Sequence, residues 1–161
     1  MGSSRSYESI DIGVLKGKIL IDCERSEFSA NDGILFVTNA GERFILSHEQ
    51  DCCESVNIES IDGDLNDLVG SEILMAETWD NNHRIGDGCG DSETWTFIKF
   101  ATIKGYVTVR FYGKSNGYYS ESAGLYRKRY LPGDMECCCY DYFFDNIDVR
   151  KLHFGPEITS L

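Results

Sequence analysis

The chain reads as a mainly β protein, or at most α+β with little helix. It forms a single domain built on antiparallel hairpins that make a curved sheet or small sandwich. Three observations carry this reading. Short β-rich runs recur with Gly- and Asn-containing links between them. No segment sustains a helical or heptad period, and no internal repeat occurs. Residues 106–112 alternate strictly, with Val107, Val109 and Phe111 on one parity and Tyr106, Thr108, Arg110 and Tyr112 on the other.

The elements follow in chain order. Lys18 to Cys23 is a short apolar run suited to a strand. Ile34 to Thr38 and Arg43 to Leu46 flank Asn39-Ala40-Gly41-Glu42, a hairpin signal. Ser55 to Ile58 is a further strand. Asp64 to Val69, stopped by Gly70, reads as one or two helical turns, and Ile73 to Thr78 resumes the sheet. Asp80 to Ser92 is polar and glycine-rich and is expected to be a mobile loop. Thr94 to Ile103 and Tyr106 to Tyr112, joined by Lys104-Gly105, form a long antiparallel hairpin with one buried face that holds Phe111. Gly113 to Gly117 reads as a turn, with Tyr118 to Glu121 pairing again. Strands near Tyr140 to Phe144 and Val149 to Phe154 are expected in the cysteine- and aromatic-rich segment that follows.

The 161 residues suit one domain, long enough to bury about 70% of its unfolded surface. Residues 1–6, opening Met1-Gly2-Ser3-Ser4, read as a tag or disordered start; residues 7–124 are the β-rich domain and 125–161 an extension packed on it. The hydrophobic fraction of 42% and the two prolines fit an ordered globular chain. No apolar run approaches the ~20 residues of a membrane span, and the N-terminus lacks the pattern of a signal peptide. The expectation is a soluble protein of the cytoplasm.

Charge is strongly segregated. The net charge is −12, which argues against a duplex nucleic acid partner. Residues 51–93 hold twelve acids against one base, Arg84, whereas residues 94–120 hold no acid and carry Lys99, Lys104, Arg110 and Lys114. An acidic run of this kind is a solvated surface or a face complementary to a basic partner, with Asp62, Asp64 and Asp67 as its candidate contacts. The acid-free stretch places Arg110 beside Tyr112, Tyr118 and Tyr119, side chains able to stack on a nucleotide-like ring or fill a partner's pocket.

Seven cysteines, several adjacent, make a poor disulfide framework and read as reduced thiols. The role of Cys137-Cys138-Cys139 is left open. His48, Cys52 and Cys53 supply an imidazole and two thiols within six residues, a half-site for zinc that His83 or Cys89 would complete. No Cys-x-x-Cys pair supports it. Cysteine catalysis is opposed by the surrounding acids, which raise thiol pKa. One of the two adjacent cysteines is expected to face the core and the other solvent. Asp62-Gly63-Asp64 opens like a calcium loop, but the sixth position is Asp67 and the twelfth Ile73, so that pattern fails. Gly86, Gly88 and Gly90 lack the strand-to-helix setting of a phosphate loop.

Three blocks carry a family resemblance. They are His48-Glu-Gln-Asp-Cys-Cys-Glu-Ser55, Gly63-Asp-Leu-Asn-Asp-Leu-Val-Gly70, and the run from Thr94 through Tyr118-Tyr119-Ser120-Glu121. In order and spacing they resemble a family of small phage and prophage domains of unknown function, over about Ile34 to Ser122. The resemblance implies a phage accessory protein and carries no activity or cofactor with it. The functional expectation is a non-enzymatic binding module that blocks a host protein through an acidic face or sequesters a small nucleotide-like ligand; a homo-oligomer is an admissible state. The alternative is a metal-binding module or metal-dependent enzyme centred on His48, Cys52 and Cys53.

Overall fold

The computed structural model describes residues 7–28, 31–84 and 91–128. Within them, nine strands run in order: β1 (Tyr7–Ile10), β2 (Leu20–Phe28), β3 (Asn31–Thr38), β4 (Arg43–Ser47), β5 (Ser55–Asp62), β6 (Met75–Arg84), β7 (Ser92–Thr102), β8 (Gly105–Ser115) and β9 (Gly124–Lys128). Two 3-10 turns, Ile12–Leu15 and Leu65–Leu68, are the only helical pieces among the described residues. All pairings between these strands are antiparallel. A five-stranded sheet has the order β1-β9-β4-β3-β2 and a four-stranded sheet the order β5-β8-β7-β6. The sheets do not close into a barrel. Of the two architectures expected, the sandwich is the one found.

Alternation builds the core. Val107, Val109 and Phe111 on β8 and Ile98 and Phe100 on β7 turn inward against Phe36, Phe44 and Leu46 of the other sheet. Phe36 meets Phe100 edge to face, 5.3 Å between centroids, so the ring contact crosses from sheet to sheet. The short links seen in sequence hold: β3 and β4 pair from Ile34↔Leu46 to Val37↔Arg43, and β7 and β8 pair without interruption from Ser92↔Ser115 to Thr102↔Gly105.

The two ends of the sandwich differ in chemistry. At the end marked by the β7–β8 hairpin, both 3-10 turns bury apolar side chains: Leu15, Leu20, Leu68 and Ile73 are fully enclosed. Asp11 and Asp64 cap these turns through their carboxylates, accepting from Gly13 N at 2.6 Å and Asn66 N at 2.9 Å. The other end is closed by residues 120–123, which cross from β8 to β9 and so from one sheet to the other. There the inward positions of β7 and β8 are Ser92, Thr94, Thr96, Gly113 and Ser115 instead of aliphatic residues.

Gly113 lets the crossover approach. A Cβ there would run into the Glu121 carbonyl oxygen and come within 2.8 Å of Glu121 Cβ. Gly113→Ala is expected to cost about 2 kcal/mol, as overpacking does. It should appear as a lower urea midpoint at unchanged slope, and an unchanged midpoint would show that the crossover is not seated on β8.

Several boundaries differ from expectation. Asp80 to Arg84 belong to β6 and Ser92 to β7, so the expected loop shrinks to the residues between them. A strand at a sheet edge, exposed on both faces, has no hydrophobic alternation to reveal it. β8 runs on to Ser115, which displaces the turn to residues 116–119, and Tyr118 to Glu121 do not pair as a strand. Leu125 to Lys128 lie in β9, between β1 and β4 in the five-stranded sheet. The expected strands at Tyr140 to Phe144 and Val149 to Phe154, and Cys89 and Cys137 to Cys139, lie outside the described residues. Among the described helices none is long and apolar enough to cross a membrane.

Candidate binding surface

The outward parity of the four-stranded sheet carries an aromatic platform. Register places Trp79, Phe97 and Arg110 in one cross-strand row and Asn81, Trp95, Tyr112 and Asn57 in the next. Trp79 is 46% exposed and lies flat on Phe97, with centroids 5.4 Å apart and planes 7° from parallel. Trp95 packs against Tyr112 at 5.3 Å. Lys99 sits 4.7 Å over the ring of Tyr106, which is itself exposed.

The segregated charge of the sequence becomes a spatial pattern here. The acid-free residues 94–120 form the two central strands, and the acidic residues 51–93 supply both edge strands, β5 and β6. Apart from Trp79 on β6, aromatic and cationic side chains therefore occupy the centre, and carboxylates of β5 and β6, with Glu93 at the start of β7, form the rim. The cations are engaged by that rim: Arg110 Nε lies 2.7 Å from Glu59 Oε2, and Lys114 Nζ lies 3.9 Å from Asp91 Oδ2. Tyr112 donates its hydroxyl to Glu93 Oε1 at 2.6 Å. That bond to a carboxylate, followed by desolvation and the nearby charge of Glu93, Glu59 and Glu121, pushes the phenol up to about 12. Glu93→Gln is expected to bring Tyr112 back toward 10 in an ultraviolet titration, and an unmoved tyrosine would show that the bond is absent.

The second polar constellation lies at the crossover end. His48 is buried, with Nε2 2.8 Å from Glu54 Oε1 and Nδ1 2.9 Å from the Ser122 carbonyl oxygen. Both ring nitrogens face oxygen acceptors. Glu54 also accepts the backbone N–H groups of Asp51 at 2.6 Å, Cys52 at 3.1 Å and Cys53 at 3.0 Å. Desolvation pushes this carboxyl up, but the hydrogen bonds from His48 and the backbone outweigh it and hold it at about 2. A polar cavity of about 280 Å³ opens beside the pair, lined by Gln50, Ser120, Ser122 and Tyr126 among others. Further along the crossover, Glu121 is buried and accepts from Thr94 at 2.7 Å, from Ser92 at 3.2 Å and from Ser115. Asn82 of β6 donates to Thr94 Oγ1 at 2.7 Å and extends the network.

The residues singled out from sequence separate into distinct places. Arg110 and Tyr112 share the aromatic face. Tyr118, 84% exposed, and Tyr119 stack edge to face in the turn beyond the Ser92–Ser115 end. Asp62, Asp64 and Asp67 gather at the opposite end, where Asp64 is a cap and the Asp67 backbone carbonyl accepts from Thr102. His48 is committed to Glu54 and Ser122. Cys52 and Cys53 are both exposed, in a turn, and bonded to each other. Two expectations are thereby corrected: the pair is not reduced, and neither cysteine faces the core, because alternation governs strands and not turns. Among the described residues Cys23 is the buried free thiol, and its burial pushes the pKa upward. No cluster of three or more His, Cys, Asp or Glu suited to a metal occurs among the described residues. Sequence reasoning passed over Trp79, Trp95 and Phe97, whose signal was the placement of both tryptophans of the chain on hairpin strands. It passed over Glu54 and Glu121 as well.

Fold and surface define an open antiparallel β sandwich with an aromatic, acid-rimmed outer face. The chain belongs to the family described as DUF7448, a domain of unknown function, whose model matches residues 13–125. No curated protein and no solved structure matches it. The matched span runs from the first 3-10 turn to the second residue of β9 and contains the whole four-stranded sheet.

Proposed function

We propose that the protein is a non-enzymatic binding module whose recognition surface is the outer face of the four-stranded sheet and whose partner is a basic protein. The observation that supports this most directly is Trp79, half exposed and stacked on Phe97 beside a carboxylate rim. Covering such a platform releases water from apolar surface. The acidic rim selects for cations, and a partner's guanidinium can lie on an indole while bonding to a neighbouring carboxylate. The resemblance to phage and prophage domains extends the proposal to an accessory protein that occupies, and so blocks, a host factor.

A nucleotide-like ligand is the weaker reading. Arg110 and Lys114 already lie against Glu59 and Asp91, so a phosphate would displace those carboxylates and enter a field of the same sign. The test is quantitative affinity capture with the native chain and with Trp79→Ala. The expected result is a protein of high isoelectric point whose binding falls at least tenfold in the variant, about 1.4 kcal/mol. A co-purifying mass of a few hundred daltons that Arg110→Ala removes would overturn the basic-protein reading in favour of a nucleotide.

A further inference from the structure

The four sheet edges are not alike. β1 is four residues long, β2 has a register shift between Leu20 and Asp22, and β5 has one between Ile58 and Ser60. Short length and bulges are how natural sheets blunt an edge against further pairing. β6 has neither. Its ten residues pair with β7 in unbroken register from Met75↔Ala101 to Arg84↔Ser92, and its other side pairs with no strand among the described residues. Residues 77–83 are all exposed. A straight edge of this length offers a row of free backbone donors and acceptors.

We propose that β6 is a strand-addition site that takes an extended basic segment of a partner protein as a fifth strand of this sheet. The inference rests on the binding reading above and deepens it by naming how the partner docks. Charge selects the occupant. β6 carries Glu77 and Asp80 along its middle, with His83 and Arg84 at its far end, and Glu93 of neighbouring β7 lies opposite His83. A cationic residue opposite Trp79 would reach the indole face and, diagonally, the Glu77 carboxylate. A second copy of the chain is the poorer occupant, because each copy brings a net charge of −12. Symmetric antiparallel self-pairing about the middle of the exposed run 77–83 would also set Asp80 against Asp80. Main-chain bonds would supply affinity, and alternate side chains, falling on the aromatic face, would supply specificity.

The probe is a synthetic decapeptide of alternating arginine and valine, with a glutamate–valine peptide and a backbone N-methylated arginine–valine peptide as controls. The readouts are affinity and amide hydrogen exchange of the full chain. The arginine–valine peptide is expected to bind and to slow exchange at alternate amides within residues 77–83. Both controls should bind at least tenfold more weakly, and so should the arginine–valine peptide to a Glu77→Lys, Asp80→Lys variant with an unchanged melting curve. Binding that is lost in Trp79→Ala yet leaves the β6 amides unprotected overturns strand addition while leaving the aromatic face as the recognition surface. Absence of binding by the arginine–valine peptide overturns the basic occupant and the reading beneath it. Protection that rises with protein concentration alone assigns the edge to a second copy and overturns the proposal.

Discussion

Glu54→Ala is expected to cost about 4 kcal/mol of folding stability, because it takes the shared acceptor from four donors, each costly to leave unsatisfied when buried. For a chain of this size the melting temperature should drop by roughly 12 °C. The cost has two parts. His48 Nε2 loses its carboxylate, and the amides of Asp51, Cys52 and Cys53 lose the acceptor that shapes the turn before β5. The native carboxyl stays charged down to about pH 2, whereas in the unfolded chain it titrates near 4.5. Between those values the unfolded state binds more protons, so this contribution is fully present above about 4.5 and is lost as pH falls through about 2. Urea unfolding at pH 7 and at pH 2 checks both statements: the gap between native and variant should be wide at pH 7 and largely closed at pH 2. A gap of less than 1 kcal/mol at pH 7 would show that the pair does not form.

Glu121→Ala is expected to cost about 3 kcal/mol. It leaves the hydroxyls of Ser92, Thr94 and Ser115 without their acceptor in a buried setting, where each unsatisfied group is costly. Glu121→Gln should recover part of the loss, since its amide oxygen still accepts. The two substitutions should also be less than additive. Ser122, which holds His48 through its carbonyl, adjoins Glu121, so releasing the crossover once spends part of both contributions. Denaturant melts of the two single variants and the double variant give the coupling directly. Full additivity would show that residues 120–123 do not act as one unit.

What could be read from the sequence was what is local. The β3–β4 and β7–β8 hairpins declare themselves because pairing partners sit a few residues apart and the parity of Val107, Val109 and Phe111 marks the inner face. The second 3-10 turn was legible from the short run Asp64 to Val69 and the Gly70 stop, with Gly70 at φ 85°. β9 was not, because its five residues pair with strands far away in the chain and their own pattern is basic and short. The platform was hidden by a different ambiguity. Both parities of β7 mix polar residues with large apolar or aromatic ones, so Trp95 and Phe97 cannot be told from Ile98 and Phe100 until a second sheet shows which side is covered. At the crossover end, the residue types of His48, Cys52 and Cys53 suggested a ligand set. The decisive partner was Glu54, in the same short stretch, because a buried imidazole needs an acceptor before it needs a metal.

The position of β9 bears on how the chain acquires its fold. Among the described strands β1 pairs with β9 alone, with Tyr7 opposite Lys128, so the first described strand pairs with the last. At ~5–20 residues per second of synthesis, β1 waits on the order of 10 s before its partner exists. β2, β3 and β4 can meanwhile form a meander, and the β7–β8 hairpin can close on itself. The five-stranded sheet is therefore completed late, when β9 inserts between two strands already made. Closing a loop of that span carries a large entropic barrier, and proteins dominated by such distant pairings fold in milliseconds to seconds. A ribosome-stalled chain ending before Gly124 should accordingly resist protease across β7–β8 while Tyr7 to Ile10 remain cleavable.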